Sequence, residues 1–444
     1  MHILHSLLSN LKEEFTSSRK GEERGAWFVY TLLAIILPFT SSKTSGLVRA
    51  LESVFGFAGI SQKRYYTFMA SAKIPWDSLW ERLWKLIPQP VTNGRLIVAL
   101  DDYINPKTGK KIFGCSKVFD HAAKQNQSEY PWAQNIVAVG LLKVIKGRWA
   151  CLPLASAFHH FEKDIAANKP TYRGNEIVFK TKYRHAVDML KNIVAKFPAS
   201  SLLVVSDSWF GNNGLWSPMR KEIGKQCHML SRLRSNNALY ARPEKPSKKK
   251  VGRAKKYGEK LGCTAILAAI NCKYAIEYTV NLYGKERAVL AHAQIVMLKT
   301  IKCPVRVVWV YRRTQWVALF TTNLTLSVAE IIEIYGARWK IEAGFKELKR
   351  ELGSAETQTR NPVSVTNHLN FCMMAASLTW IYADQLEKAP ARRHAVNGRG
   401  HFAFSDIRRL ISKEATDDKF SGLCPAPRKS MVNSIVTMLL KMAA

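Results

Sequence analysis

Apolar residues recur with a helical period over roughly the first ninety positions and then, beyond Pro88, gather into short unbroken runs. The segments LHSLLSNLKEEF, SGLVRALESVFGF, SQKRYYTFMAS and WDSLWERLWKLI read as helices. In the last of these Leu79, Leu83 and Leu86, flanked by Trp76, Trp80 and Trp84, return at helical spacing. Between the first and second lies Ala26 to Phe39, AWFVYTLLAIILPF, the longest nearly uninterrupted apolar stretch. It falls short of the roughly 20 residues that a membrane span needs, and Pro38 would break it, so it reads as a buried core helix. Five charges in Arg19 to Arg24 precede it as in a signal peptide, but no small-residue cleavage site follows.

Past Pro88, Leu96 to Leu100 (LIVAL) has the look of a fully buried strand, expected to end at Asp101 and Asp102. Further strands are expected over Lys111 to Val118, Ile136 to Ile145 and Trp149 to Leu154, then a helix over Thr181 to Phe197 and strands at Leu202 to Ser206 and Cys227 to Leu233. This order predicts a mixed α/β core. Cys263 to Leu282, Glu286 to Ile301 and Val305 to Asn323 read as strands, the last turning near Arg312 to Gln315. Ser327 to Leu352 reads as one long helix closed by Gly353, and Val363 to Leu386 as another. The resulting division is a helical domain over 1–90, a first core part over 91–214, a β-rich insertion over 215–325, the last core helices over 326–386 and a C-terminal helical region over 387–444.

Composition narrows the partner. With 47% hydrophobic residues in 444 the chain can bury a large core, and 67 Lys+Arg against 33 Asp+Glu leave a formal charge of +34. That excess favours a polyanion, nucleic acid before an anionic membrane. Two clusters stand out within it. Lys63 and Arg64, with Tyr65 and Tyr66, open a short helix after Gly59 and Ser61; this suits either a DNA groove or the basic outer face of a bundle. In Ala241 to Lys260, nine of twenty residues are Lys or Arg, among them Lys248, Lys249, Lys250, Arg253, Lys255 and Lys256. Such a block is a solvated loop, and a solvated basic loop can track phosphates. The eight cysteines are scattered with no CxxC, which indicates neither a zinc site nor a disulfide scaffold and fits a reducing cytosol.

Candidate chemistry lies in carboxylates. Asp101 and Asp102 follow LIVAL, and Asp207 follows LLVVS in the segment SDSWFGN. An acid just past a core strand sits at the sheet edge where ligands of α/β folds gather, although each alone also reads as a turn or helix cap. On the helix 327–352, Tyr335, Arg338, Glu342 and Lys349 are spaced by 3, 4 and 7 and fall in one stripe, beside an apolar stripe of Ile334, Ile341, Phe345, Leu348 and Leu352. Simple pairing of Arg338 with Glu342 would contribute only a few tenths of a kcal/mol.

The spacing Tyr-x2-Arg-x3-Glu-x6-Lys in YGARWKIEAGFKELK resembles the Y-R-E-K signature of bacterial insertion-sequence transposases of the DDE class, whose catalytic core is RNase H-like. The flanking RW-IE--F--LK pattern, the preceding TTNL and the two strand-plus-Asp segments are similar too, so the resemblance runs from about 95 to 385. It implies Asp207 and Glu342 as the second and third catalytic carboxylates. The first is Asp101 or Asp102: relatives commonly carry Asp-Gly-Thr, Asp-Asp-Thr or Glu-Asp-Thr where this chain has Asp-Asp-Tyr. Strand phase favours Asp101, which directly follows the buried run, and because neighbouring strand residues point to opposite faces only one of the two can join a shared metal site. The resemblance further implies two Mg²⁺ ions, with Mn²⁺ as a substitute, on Asp101, Asp207 and Glu342. It gives Arg338 and Lys349 to DNA phosphates and Tyr335 to the transposon end. Trp209 and Trp316 are candidates for stacking on an extruded base, and both also read as core tryptophans. The activity implied is cleavage at terminal inverted repeats and joining of the 3′ ends to target DNA, by a homodimer at the bacterial nucleoid in the cytoplasm, with no membrane role. The alternatives are an RNase H-like nuclease without strand transfer and a transposase-derived DNA-binding protein without catalysis.

Overall fold

The computed structural model describes residues 3–37, 41–55, 57, 61–121, 123–198, 201–243, 255–313, 315–394 and 400–415. Five helices lead: α1 (Ile3–Lys12), α2 (Arg19–Ile36), α3 (Thr44–Ser53), α4 (Gln62–Met69) and α5 (Trp76–Lys85). Strands β1 (Arg95–Pro106), β2 (Cys115–Lys117), β3 (Trp132–Ile145) and β4 (Arg148–His159) follow, then α6 (Glu162–Asn168) and the small hairpin β5 (Thr171–Tyr172) and β6 (Asn175–Glu176). Next come α7 (Lys182–Lys196), β7 (Ser201–Ser206), α8 (Asn213–Ile223), β8 (Cys227–Arg232), β9 (Ala238–Tyr240), β10 (Lys260–Cys263) and α9 (Thr264–Asn271). Strands β11 (Ile276–Leu282), β12 (Lys285–Leu298), β13 (Cys303–Tyr311) and β14 (Trp316–Thr321) lead into α10 (Val328–Ala337) and α11 (Trp339–Lys346). A π-helical turn over Glu347–Glu351, α12 (Pro362–Gln385) and α13 (Phe404–Ala415) complete the described chain.

Twelve strands form one sheet in the order β10-β9-β12-β13-β14-β8-β7-β1-β3-β2, with β11 on β12 and β4 on β3. Its centre, β4-β3-β1-β7-β8, is antiparallel over the first three strands, and β7 and β8 run parallel to β1, an RNase H-like arrangement. The β-rich segment after residue 227 continues this sheet through β14 on β8. Parallel strands covered on both faces need continuous apolar runs, which is why LIVAL and LLVVS carry no alternation and are wholly buried.

Helix α12 lies against β4 and β3 on one side and against α1, α2, α4 and α5 on the other. Apolar all round, it is buried along most of its length, and so is α2, packed among α1, α3, α12 and α13. The apolar run of α2 is therefore a core helix, and no helix among the described residues is long and apolar enough to cross a membrane. Asn367 of α12, fully buried, ties the two layers together: its Oδ1 accepts from Trp76 Nε1 at 2.7 Å, and its Nδ2 donates to the carbonyls of Met69 and Ser71 at 2.8 and 3.0 Å. Replacing it by leucine would strand one N–H and two carbonyls. The Asn367→Leu protein is expected to lose about 3 kcal/mol or more, read as a lower urea midpoint at unchanged slope.

Several elements depart from the hydrophobic pattern. β1 does not stop at Asp101 and Asp102 but runs on to Pro106, because β3 keeps pairing with it after β7 ends at Ser206 opposite Leu100. The stretch Cys263 to Leu282 is not one strand. Residues 264–271 coil into α9, whose carbonyls at Thr264 and Ala268 accept from Trp309 Nε1 and the Tyr311 hydroxyl at 3.2 and 2.8 Å. A short apolar run such as TAILAAI has no periodicity that separates helix from strand, and the sheet beneath decides it. Only Cys115–Lys117 of the strand expected at 111–118 pairs with β3. The helix expected over 327–352 breaks into α10 and α11 at Arg338 and ends in the π-turn. Beyond α13, the C-terminal region at 416–444 lies outside the described residues, as does Gly59.

Candidate active site

Two parallel strands run side by side to build the site, β7 ending there and β1 passing on. Because Leu100 is the register partner of Ser206, the next residues, Asp101 and Asp207, emerge together where β7 gives out and β1 continues. Asp207 opens a tight turn. Its Oδ1 accepts the amides of Trp209 and Phe210 at 3.0 and 3.1 Å, and its carbonyl accepts from the Ser231 hydroxyl at 2.6 Å and the Gly211 amide at 3.1 Å. Gly211 is needed here, since a Cβ would collide with the Ser231 side chain.

The α10–α11 segment brings the third acid. Ser327 and Glu330 form a capping box that starts α10, and Glu330 also pairs with Arg95 at 3.1 Å, pinning the helix to the beginning of β1. Ile334, Ile341, Phe345, Leu348 and Leu352 are all buried. They press this segment onto the sheet and leave the adjacent stripe facing the acids. Arg338 then spans two of them, Nη1 3.2 Å from Asp101 Oδ2 and Nη2 2.8 Å from Glu342 Oε1, with only 13% of its side chain exposed. Its Nε is buried without a hydrogen-bond partner. The guanidinium also lies over the Tyr335 and Trp339 rings, at 5.8 and 5.5 Å.

Charge is crowded in this space. Burial, then the nearby Asp207 carboxylate, push the Asp101 carboxyl up to about 7 against the pull of Arg338. Burial works against the Arg338 charge, but Tyr335, Asp101 and Glu342 outweigh it and raise its pKa. Burial also raises the Tyr335 phenol, with Arg338 and Arg232 opposing.

Asp101 and Asp102 diverge as neighbouring strand residues should. Asp102 turns away from Arg338, pairs with Lys182 at 2.8 Å and accepts from Asn135 Nδ2 at 3.3 Å. Lys349 lies beyond the start of the π-turn, with its ammonium 5.9 Å from the Tyr103 ring, two residues along β1 from Asp101 and on the same face. Tyr103 in turn stacks on Phe345 at 4.2 Å. The structure thus brings Asp101, Asp207, Arg338 and Glu342 together, with Tyr335 against Arg338, and carries Lys349 along the same strand face. Trp209 is 40% exposed beside Asp207, whereas Trp316 packs partly buried against the core. On α4, Tyr65 belongs to the core with its hydroxyl on Thr31, Arg64 pairs with Glu23 at 2.7 Å, and Lys63 is exposed. In the basic loop Lys255 and Lys256 are exposed, while Lys248, Lys249, Lys250 and Arg253 lie outside the described residues. Lys182 and Asn135 were not legible: no motif marks them, and only the fold carries α7 and β3 to Asp102.

Among the described residues no group of three or more His, Cys, Asp or Glu side chains is placed so that it could hold a metal ion. The donor chemistry nevertheless fits a hard divalent cation. The acids offer only oxygen, Asp101 is buried close to the Asp207 carboxylate, and a guanidinium spans Asp101 and Glu342. A family model described as DDE superfamily endonuclease matches residues 14–270, and one described as Transposase DDE domain matches residues 175–378. No curated protein matches the chain. The first match includes Asp101 and Asp207, the second Asp207 and Glu342. Since the first match spans more than half of the 444 residues, the chain belongs to the DDE superfamily of endonucleases and transposases.

Proposed function

We propose that the protein is a DNA transposase that binds the terminal inverted repeats of its insertion sequence, cleaves at their ends and joins the 3′ ends to target DNA. The observation that carries this reading is Arg338 bridging Asp101 and Glu342 beside Asp207, where β7 ends alongside β1 in an RNase H-like sheet. The +34 charge supports a polyanionic substrate. In this reading Asp101, Asp207 and Glu342 hold the Mg²⁺ ions, which when bound activate the attacking oxygen and stabilise the leaving one in phosphoryl transfer. Asp101 is preferred to Asp102 because Arg338 ties Asp101 to Glu342, whereas Asp102 faces Lys182. Arg338 orients Asp101 and Glu342 and offers its planar fork to a phosphate, and Lys349 adds a point charge farther along the strand. Tyr335 backs the guanidinium with its ring. The helices before residue 90 and the loop around Lys255 and Lys256 extend the DNA contact, and a homodimer follows from the need to process two ends in concert. A cytoplasmic, nucleoid-bound location goes with this substrate.

The test is a supercoiled plasmid bearing the flanking repeats, incubated with Mg²⁺ or EDTA and with wild type, Asp207→Ala or Glu342→Gln. Cutting at the repeat ends that needs the metal and both acids is expected, followed by joined products. Cutting without joining would replace the reading by a simple nuclease, and repeat binding without cutting by a non-catalytic DNA-binding protein.

A further inference from the structure

We propose that Asp102 holds Lys182 in reserve as a phosphate-binding cation beside the acidic site, a DNA backbone phosphate taking the place of the Asp102 carboxylate when substrate arrives. This rests on the DNA-processing reading above and adds to it a strand contact on the other face of β1 from Arg338.

Lys182, in the first turn of α7, reaches Asp102 at 2.8 Å, yet the two side chains keep 18% and 23% of their surface open to solvent. That opening gives an incoming anion a path to the ammonium, and exchanging one anionic partner for another leaves the half-buried lysine paired throughout. The ammonium also sits 5.3 Å from the centre of the Trp209 ring, which confines it to one side of the site. That ring is firmly mounted. Tyr183 stacks on it at 4.8 Å and 16°, Asn212 donates to the Tyr183 hydroxyl at 2.6 Å, and the Tyr183 hydroxyl donates to the Trp209 carbonyl at 3.2 Å. The Trp209 amide in turn binds Asp207. Lys182 is therefore connected to the acids twice, through Asp102 next to Asp101 in the chain and through Trp209 held on Asp207. A carboxylate pairing with an accessible lysine, against a rigid and 40% exposed tryptophan, is a site whose resident anion mimics the incoming one.

The test uses the full chain and a fluorescein-labelled DNA duplex in EDTA, with anisotropy followed over a salt series. Lys182→Ala is expected to weaken binding about 3- to 10-fold near 0.1 M salt and to reduce the log–log salt slope by about 0.9. Asp102→Asn, which frees the lysine, is expected to tighten binding by a similar factor. The double variant should behave as Lys182→Ala alone, and Lys182→Arg should stay near wild type. If thermal melting shows Lys182→Ala to be misfolded, Lys182→Gln takes its place. Unchanged affinity and slope in the lysine variants, or an Asp102→Asn protein that binds no tighter, would overturn the proposal while leaving plasmid cleavage by wild type intact. Wild type that binds DNA without salt dependence and fails to cut would instead overturn the reading beneath it.

Discussion

Asp101→Asn and Glu342→Gln are each expected to lower metal-dependent strand cleavage by on the order of 10³-fold, about 4 kcal/mol of barrier, measured as initial nicking rates on the repeat-bearing plasmid. Asp102→Asn is expected to keep measurable cleavage; its loss to the same degree would move the first carboxylate to Asp102. Stability should change in the opposite sense to activity. Folding lifts the Asp101 carboxyl from its ordinary 3.8 to about 7, so holding it ionised opposes the folded state. That penalty is absent below about pH 4, grows as pH rises and is complete above pH 7, where linkage makes it a few kcal/mol. In EDTA, Asp101→Asn should therefore melt higher than wild type at pH 8, with the gain shrinking towards pH 5. Mg²⁺ should raise the wild-type melting temperature and raise that of the variant less, because a ligand stabilises only the state that binds it. A variant that melts below wild type at pH 8 would contradict the cost of holding Asp101 ionised in its buried place beside Asp207.

Arg338→Ala is expected to lose about 10²–10³-fold in cleavage, with Arg338→Lys recovering little of it. A lysine carries the charge but not the fork that spans Asp101 and Glu342 at 3.2 and 2.8 Å. Because the guanidinium is mostly buried, its removal leaves Asp101 facing Asp207 without a cation. The metal-free alanine protein should lose about 3–5 kcal/mol of stability at pH 8. Thermal melts with and without Mg²⁺ check this: the metal should restore part of the loss in Arg338→Ala. Wild-type cleavage by either variant would remove Arg338 from the site.

The fold class and the residues of the candidate site were legible in the chain. LIVAL and LLVVS carried the unbroken apolar signal of strands covered on both faces, and an acid after each is visible without coordinates. The helical spacing of Tyr335, Arg338 and Glu342 held, since it is set by residues within a few turns of one another. The charge excess and the all-round apolarity of α2 and α12 are equally local properties. What depended on contacts between distant residues was not legible. Whether 264–271 became strand or helix rested on Trp309 and Tyr311 beneath it, and β1 runs past its two aspartates because β3 outlasts β7 alongside it. The choice of Asp101 over Asp102 as the partner of Arg338 was made by packing α10–α11 on one face of β1. The same packing logic gave Asp102 to Lys182 from α7 on the other face. The sequence by itself determined which groups carry charge and at what period they recur, because that chemistry is written residue by residue. Tertiary structure alone decided which charges meet, because an ion pair a few ångströms long between residues 80 or 237 positions apart exists only once the sheet has closed and the helices have docked on it.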